Sequence, residues 1–201
     1  MTVKEREIVV EGWNAIGKAY HDARNVHKID GELEQLVEML PEHAEVLDAG
    51  SGSGVPVSRY LDEAGLKVTG IDLSDTMLEL ASKNVPGGTF LKKDITSLDF
   101  EPESFDGIVC VYALFHVPKR QHGSIFKDFY KILRGGGILM MNTGVSEWEG
   151  VTQFFGVPMF WSNHAPSRTL ELAKNAGFSI LFEGKLVRGG EHQYWIFAKK
   201  E

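Results

Sequence analysis

A glycine-rich segment from Asp48 to Gly54, with the pattern D-x-G-x-G-x-G, follows a short apolar run. Glycines let a backbone turn sharply and come close to a ligand, because no Cβ intervenes. The G-x-G-x-x-G frame of dinucleotide-binding proteins is not met, since valine occupies the third glycine position in either frame. The Asp48 carboxylate would repel a pyrophosphate and favour a ligand that carries an amino group and a sulfonium cation.

A second carboxylate, Asp72, ends the next apolar run, eighteen residues after Gly54. At the tip of a neighbouring strand, such a side chain can accept hydrogen bonds from both hydroxyls of a ribose. The two carboxylates and the glycines therefore predict a site for an adenosine-like ligand.

The elements that must position these residues alternate between short apolar runs and helical stretches, which is typical of a parallel sheet buried on both faces. The predicted strands are Glu45 to Ala49, Lys67 to Asp72, Gly88 to Lys92, Phe105 to Tyr112 and Gly137 to Thr143. The helices between them are predicted at Pro56 to Glu63, Ser74 to Lys83 and Lys119 to Leu133.

Two helices are predicted before the sheet. The first runs from Glu5 to about Asn25, ending around Arg24 to Val26; the second has Asp30 as its N-cap and stops at Pro41.

The chain after Thr143 is organised differently. Residues Ser146 to Ala165 are rich in aromatic side chains, and a helix is predicted from Pro166 to Asn175. Two strands, Phe178 to Val187 and Gln193 to Lys199, are separated by a short glycine-containing turn and predict an antiparallel hairpin at one sheet edge.

Taken together, these segments resemble the class I S-adenosylmethionine-dependent methyltransferases of the small-molecule group, motif by motif from Glu45 to Gly144. The resemblance implies an α/β, Rossmann-like, doubly wound sheet of seven strands, mostly parallel, with a C-terminal antiparallel hairpin and helices on both faces. It also implies one domain over 1–201, in which 1–40 form a helical lid, 45–144 the cofactor-binding core and 145–201 a substrate-side insertion and the hairpin.

The resemblance further implies S-adenosylmethionine as cofactor and S-adenosylhomocysteine as product. The glycines would pack against its methionine and ribose, Asp72 would hold the ribose hydroxyls, Leu73 would cover the adenine, and Asp94 would accept a proton from the adenine amine. The implied cofactor-binding set is Tyr20, Asp48, Gly50, Ser51, Gly52, Gly54, Asp72, Leu73, Asp94, Ile95 and Val111.

The residues that would bind the methyl acceptor are less clearly indicated. Methyl transfer from a sulfonium mainly requires that the acceptor is aligned with the carbon–sulfur bond in a dry pocket. A base is needed only for a poorly ionised oxygen or nitrogen, and His116 and Tyr112 are the catalytic candidates, with His164 and Tyr20 as further ones. The alternatives are packing of His116 and core packing of Tyr20 beside Trp13. An apolar or planar acceptor would suit the predicted substrate pocket, which consists of Phe155, Phe160, Trp161 and His164.

Composition and charge narrow the possible surroundings, cysteine chemistry and partners of this chain. The 201 residues are 43% hydrophobic and 24% charged, which predicts a soluble domain, and no run is long enough to span a membrane. The single cysteine, Cys110, predicts a buried thiol without disulfide or metal ligation, and His122 is predicted on the surface. A net charge of -7 makes nucleic acid an unexpected partner.

These features predict a cytoplasmic monomer or homodimer that acts on a small-molecule methyl acceptor without a metal. Two rivals remain: a non-catalytic S-adenosylmethionine-binding or regulatory protein, and a nicotinamide-dependent oxidoreductase on the related fold.

Overall fold

The computed structural model describes residues 2–23 and 29–201. Its helices are α1 (Val3–Ala23), α2 (Asp30–Met39), α3 (Val57–Glu63), α4 (Asp75–Asn84), α5 (His122–Ile132) and α6 (Pro166–Asn175). Its strands are β1 (Glu45–Ala49), β2 (Lys67–Asp72), β3 (Thr89–Lys92), β4 (Phe105–Cys110), β5 (Leu133–Thr143), β6 (Trp148–Phe154), β7 (Val157–Asn163), β8 (Ser179–Arg188) and β9 (Glu191–Lys199). The predicted end of the first helix, around Arg24 to Val26, falls outside the described residues.

Seven of the strands form one sheet in the order β3-β2-β1-β4-β5-β9-β8. Strands β1 to β5 are mutually parallel, and β9 pairs antiparallel with both β5 and β8. The strand order reverses between β1 and β4, which is where ligands bind in open α/β sheets. The doubly wound sheet with its closing hairpin is thereby confirmed.

Apolar side chains cover both faces of this sheet. Along β9 they alternate, with Ile196 packed in the core beneath α5 and α6, and with Trp195 and Phe197 packed in the core beneath α2 and α3. All three are at most 1% exposed. Burial on both faces explains why the central strands read as continuous apolar runs.

The aromatic-rich stretch forms secondary structure that the sequence analysis did not predict. Strands β6 and β7 pair antiparallel in a separate two-stranded sheet, which packs against α1 through Met159 and Phe160. Through this contact, α1 lies next to the ends of the parallel strands.

Two local predictions are wrong. Asp30 is the first residue of α2 and not its N-cap, which is Ile29 and makes no side-chain capping bond. His122 is fully buried and not on the surface, since it belongs to the buried face of α5. Its Nε2–H donates to the Val117 carbonyl oxygen at 2.8 Å. The predicted burial of Cys110 is confirmed, and burial raises the pKa of its thiol to about 12.

No helix within the described ranges has the length and apolarity needed to cross a bilayer.

Candidate functional site

A cavity opens at the carboxyl ends of β1, β2 and β4 and extends beneath α1. Its empty volume is about 960 Å³ when the solvent-open mouth is included. The predicted cofactor and catalytic residues that line it are Tyr20, Asp48, Gly50, Ser51, Gly52, Asp72, Leu73, Asp94, Ile95, Val111, Tyr112 and His116.

The three glycines of the loop after β1 have positive φ angles, 87° at Gly50, 52° at Gly52 and 75° at Gly54. Other residues rarely adopt these angles, which explains the glycine pattern. A Cβ on Gly50 would overlap the Ala113 side chain, so the loop lies directly against the segment that follows β4.

Gly54 does not take the place that the sequence predicted. It is absent from the cavity lining, and a Cβ there would lie 3.1 Å from Val85 and 3.3 Å from Ala81, at the C-terminal half of α4. Gly54 therefore packs closely on α4, while Gly50 and Gly52 line the cavity.

Asp72 connects the end of β2 to the glycine-rich loop. One carboxylate oxygen accepts the Gly52 N–H at 3.0 Å and the other accepts the Ser74 N–H at 2.8 Å. Burial raises the pKa of Asp72, although these N–H donors oppose the shift. Each oxygen keeps lone-pair capacity for a hydroxyl donor, as a ribose requires.

Two buried polar groups lie at the base of the cavity. Asp48 is 2% exposed and accepts a hydrogen bond from the Ser58 hydroxyl at 2.6 Å. The Ser51 hydroxyl is buried and has no hydrogen-bond partner among the described residues, although buried polar atoms are nearly always bonded. An unsatisfied hydroxyl and a carboxylate that line the same cavity fit the amino-acid end of S-adenosylmethionine, the expected cofactor.

Asp94 lies in the cavity next to Ile95 and already has partners. Its Oδ1 accepts from both the N–H and the hydroxyl of Thr96, while its Oδ2 lies 3.4 Å from Nε of Arg6 in α1. An adenine amine that reached Asp94 would share this carboxylate with α1.

The segment after β4 is held by a residue that the sequence analysis missed. Tyr112 has a φ of 58°, and its backbone N–H donates to Oδ1 of Asn142 at 2.7 Å. Asn142 is fully buried near the end of β5. The signal was available, because Asn142 is a polar residue directly after the apolar run from Ile138 to Met141.

His116 has a defined orientation in the cavity wall. Its Nδ1 lies 2.9 Å from the Phe160 carbonyl oxygen, and since a carbonyl can only accept, Nδ1 carries the hydrogen. Its Nε2 is therefore an unprotonated acceptor, and it has no hydrogen-bond partner in the described part of the chain. Burial lowers the pKa of His116 to about 4, so the ring is neutral near pH 7.

Aromatic rings surround the His116 imidazole. The ring centroids lie 5.4 Å from Trp13, 4.9 Å from Phe115 and 4.6 Å from Trp161. The ring centroids of Trp13 and Tyr20 in α1 lie 5.0 Å apart, as the packing alternative for Tyr20 predicted, and both residues line the cavity. The sequence analysis did not place Trp13 in the site.

The four predicted substrate-pocket residues lie behind the cavity wall and do not form it. Phe160 packs in the cluster with Val9 and Ile16, and Trp161 packs against His116. His164 donates from Nε2 to the Lys119 carbonyl oxygen at 2.9 Å, and Phe155 is half exposed beside Tyr20. Phe155 contacts Tyr20, while Phe160 and Trp161 contact His116, so these three residues pack against residues that line the cavity.

Polar contacts join α1 to both sides of the cavity. On one side, the Ser74 hydroxyl donates to Asn14 Oδ1 at 2.7 Å and His21 Nδ1 lies 2.9 Å from the Ser53 hydroxyl. On the other, Arg120 donates to both carboxylate oxygens of Glu5, at 3.2 and 2.7 Å. This contact lowers the pKa of Glu5 to about 2, so the pair is charged near neutral pH.

Comparison with known proteins matches this chain to several methyltransferases. Residues 46–137 match a family model described as a methyltransferase domain. A sterol 24-C-methyltransferase of Candida albicans is 27% identical over 184 residues, covering 79% of this chain and 46% of the relative. A ubiquinone biosynthesis O-methyltransferase of Coxiella burnetii is 28% identical over 148 residues, covering 70% of this chain and 59% of the relative.

The chain spans about half the length of the sterol methyltransferases that it matches. Among solved structures, magnesium protoporphyrin IX methyltransferase of Synechocystis, with bound S-adenosylhomocysteine, superposes with a TM-score of 0.76 at 19% identity. That alignment covers 98% of this chain and all of the other. At this identity the likeness concerns the fold.

Proposed function

We propose that this chain is a class I S-adenosylmethionine-dependent methyltransferase, which the methyltransferase family model matched by residues 46–137 supports, and that it methylates a small-molecule acceptor held beside His116. The observation that carries the proposal is His116 in the cavity wall, with Nδ1 bonded to the Phe160 carbonyl oxygen and the buried Nε2 left as an acceptor without a partner among the described residues.

The residues at the carboxyl ends of β1 and β2 would bind the cofactor. Gly50 and Gly52 allow its close approach, Ser51 offers a hydroxyl, and Asp72 accepts hydrogen bonds from the ribose hydroxyls. The Asp48 carboxylate favours the positive end of the ligand. When bound, S-adenosylmethionine supplies a methyl group that is already activated by the sulfonium.

His116 would bind and orient the acceptor. A bare imidazole nitrogen accepts a hydrogen bond from a hydroxyl or an amine, and it would take the proton that the acceptor loses when its bond to the methyl carbon replaces the carbon–sulfur bond. Because the pKa of His116 is lowered to about 4, the imidazole is neutral and able to accept across the physiological range, and it becomes protonated only as the pH falls toward 4.

The wall around His116 favours an apolar or planar acceptor. Trp13 and Tyr20 present aromatic surface to the cavity, and Val117 adds an apolar side chain. The matched relatives include a sterol and a ubiquinone-pathway methyltransferase, which supports a small molecule as acceptor.

The test is release of S-adenosylhomocysteine across a panel of phenols, aromatic amines and apolar alcohols. In His116→Asn the amide N–H can still donate to the Phe160 carbonyl, while the acceptor at Nε2 is removed. We expect kcat to fall by about 10²- to 10⁴-fold, the usual contribution of a general base, with cofactor affinity unchanged in calorimetry.

His192→Gln, at an exposed position of β9, is the matched control and should keep full activity. Tight binding of S-adenosylhomocysteine without turnover of any acceptor would point to a non-catalytic binding protein. A His116→Asn variant with normal kcat would remove His116 from the reaction.

A further inference from the structure

Strand β8 forms one edge of the seven-stranded sheet, so one side of its backbone has no neighbouring strand among the described residues. Three of its apolar side chains are strongly exposed: Leu181 at 48%, Phe182 at 39% and Val187 at 50%. A ten-residue edge strand of this kind is a template for pairing with another strand.

The order of residues on β8 makes the strand complementary to itself. If two copies pair antiparallel about a two-fold axis at Gly184, Glu183 of each copy faces Lys185 of the other. Phe182 then faces Leu186. Opposite charges and apolar pairs directly across an antiparallel ladder stabilise it.

Other registers lose this complementarity. An axis at Glu183 sets two glutamates opposite each other, and an axis at Lys185 sets two lysines opposite each other, which is destabilising. An axis between two residues misaligns the outward-facing N–H and C=O groups, because these alternate with a period of two residues. The charge pattern therefore selects the register centred on Gly184.

The side chains concerned are accessible. Glu183 and Lys185 are both exposed, and Lys185 has no ion-pair partner in residues 2–23 and 29–201. Glu183 accepts the Tyr194 hydroxyl through Oε2 at 2.7 Å, and its second oxygen can accept from a lysine.

We propose that two copies of this chain associate through β8, antiparallel and centred on Gly184, so that their sheets become continuous. A bulge between Ile180 and Phe182 interrupts the regular strand at one end, so the regular pairing extends from Phe182 to Leu186. Because the regular pairing covers only a few residues, we expect a weak dimer that dissociates on dilution.

The test is sedimentation equilibrium of the full chain over a concentration series. The wild type should rise from the 22.4 kDa monomer toward twice that mass. Lys185→Glu presents glutamate at both facing positions and Glu183→Lys presents lysine at both, and each should weaken self-association at least tenfold. The double variant E183K/K185E, and an equimolar mixture of the two single variants, should recover dimer formation.

Lys127→Glu, on the exposed side of α5, changes the net charge as Lys185→Glu does and is the control. Thermal melts followed by circular dichroism check the fold of each variant, above all Glu183→Lys, which also loses the bond to Tyr194. A wild type that stays monomeric throughout, or a Lys185→Glu variant that associates like the wild type, would overturn the proposal. Neither result depends on methyl transfer.

Discussion

At the residue scale, Asp72 is the side chain on which the candidate site depends most directly, because it joins the glycine-rich loop to the end of β2 and faces the cavity. Replacement by alanine removes the acceptors for the ribose hydroxyls. We predict that Asp72→Ala weakens binding of S-adenosylhomocysteine by about 1–3 kcal/mol, the usual loss for charge-assisted hydrogen bonds.

Isothermal titration calorimetry measures this loss. Asp75→Ala is the matched control, since the Asp75 carboxylate is exposed and bonds Lys92 at 2.7 Å on the outer side of α4. Equal affinities for Asp72→Ala and the wild type would exclude Asp72 from the cofactor site.

At the element scale, α1 is the part of the fold that closes the cavity, and its predicted function as a lid can be tested through its polar contacts. The Arg120–Glu5 pair ties the N-terminal end of α1 to the turn before α5. We predict that Arg120→Gln speeds dissociation of S-adenosylhomocysteine several-fold. The free energy of unfolding should change by about 0–1 kcal/mol, as for other exposed ion pairs.

Stopped-flow displacement gives the dissociation rate, and hydrogen exchange of the α1 amides reports the local opening. Arg168→Gln is a close control, because Arg168 and Arg120 are both 49% exposed and Arg168 pairs with Glu171 within α6. If both variants release the ligand at the wild-type rate, α1 is not a lid held by this pair.

At the scale of the whole molecule, two buried histidines make the stability sensitive to acid. Burial lowers the pKa of both His116 and His122 to about 4, from 6.5 in the unfolded chain. The contribution of the two neutral histidines to the free energy of unfolding is complete above pH 6.5. It is lost as the pH falls toward 4, because the histidines of the unfolded chain bind protons first.

We predict that replacing His122 reduces this acid sensitivity. His122→Gln retains an N–H donor for the Val117 carbonyl and removes the titrating ring. Between pH 7 and pH 4.5 its free energy of unfolding should fall less than that of the wild type, by an amount on the order of 1–3 kcal/mol. Urea titrations at the two pH values measure the difference.

His192→Gln serves as the control for that experiment. His192 is exposed, so its replacement should not change the pH dependence of the free energy of unfolding. An equal fall in the free energy of unfolding between the two pH values for His122→Gln and the wild type would show that His122 does not titrate on unfolding.

Local sequence was sufficient for the central part of the fold. The bounds of β1, β2 and α6 were predicted as the structure has them, because apolar runs, helical periodicity and turn residues act over a few neighbouring positions. The glycine pattern likewise predicted a sharply turning loop, and the positive φ angles of its three glycines agree, since the need for glycine lies in the backbone itself.

Tertiary structure decided what surrounds the proposed acceptor site. Phe160 and Trp161 suggested a pocket wall, yet the pairing of β6 with β7 places them behind His116, and the wall comes from Trp13, more than a hundred residues earlier. The orientation of His116 depends on the carbonyl of Phe160, 44 positions away. The sequence by itself therefore determined the fold class, the glycine-rich loop and its carboxylates. Contacts between distant segments, which no local pattern encodes, determined the acceptor side of the cavity.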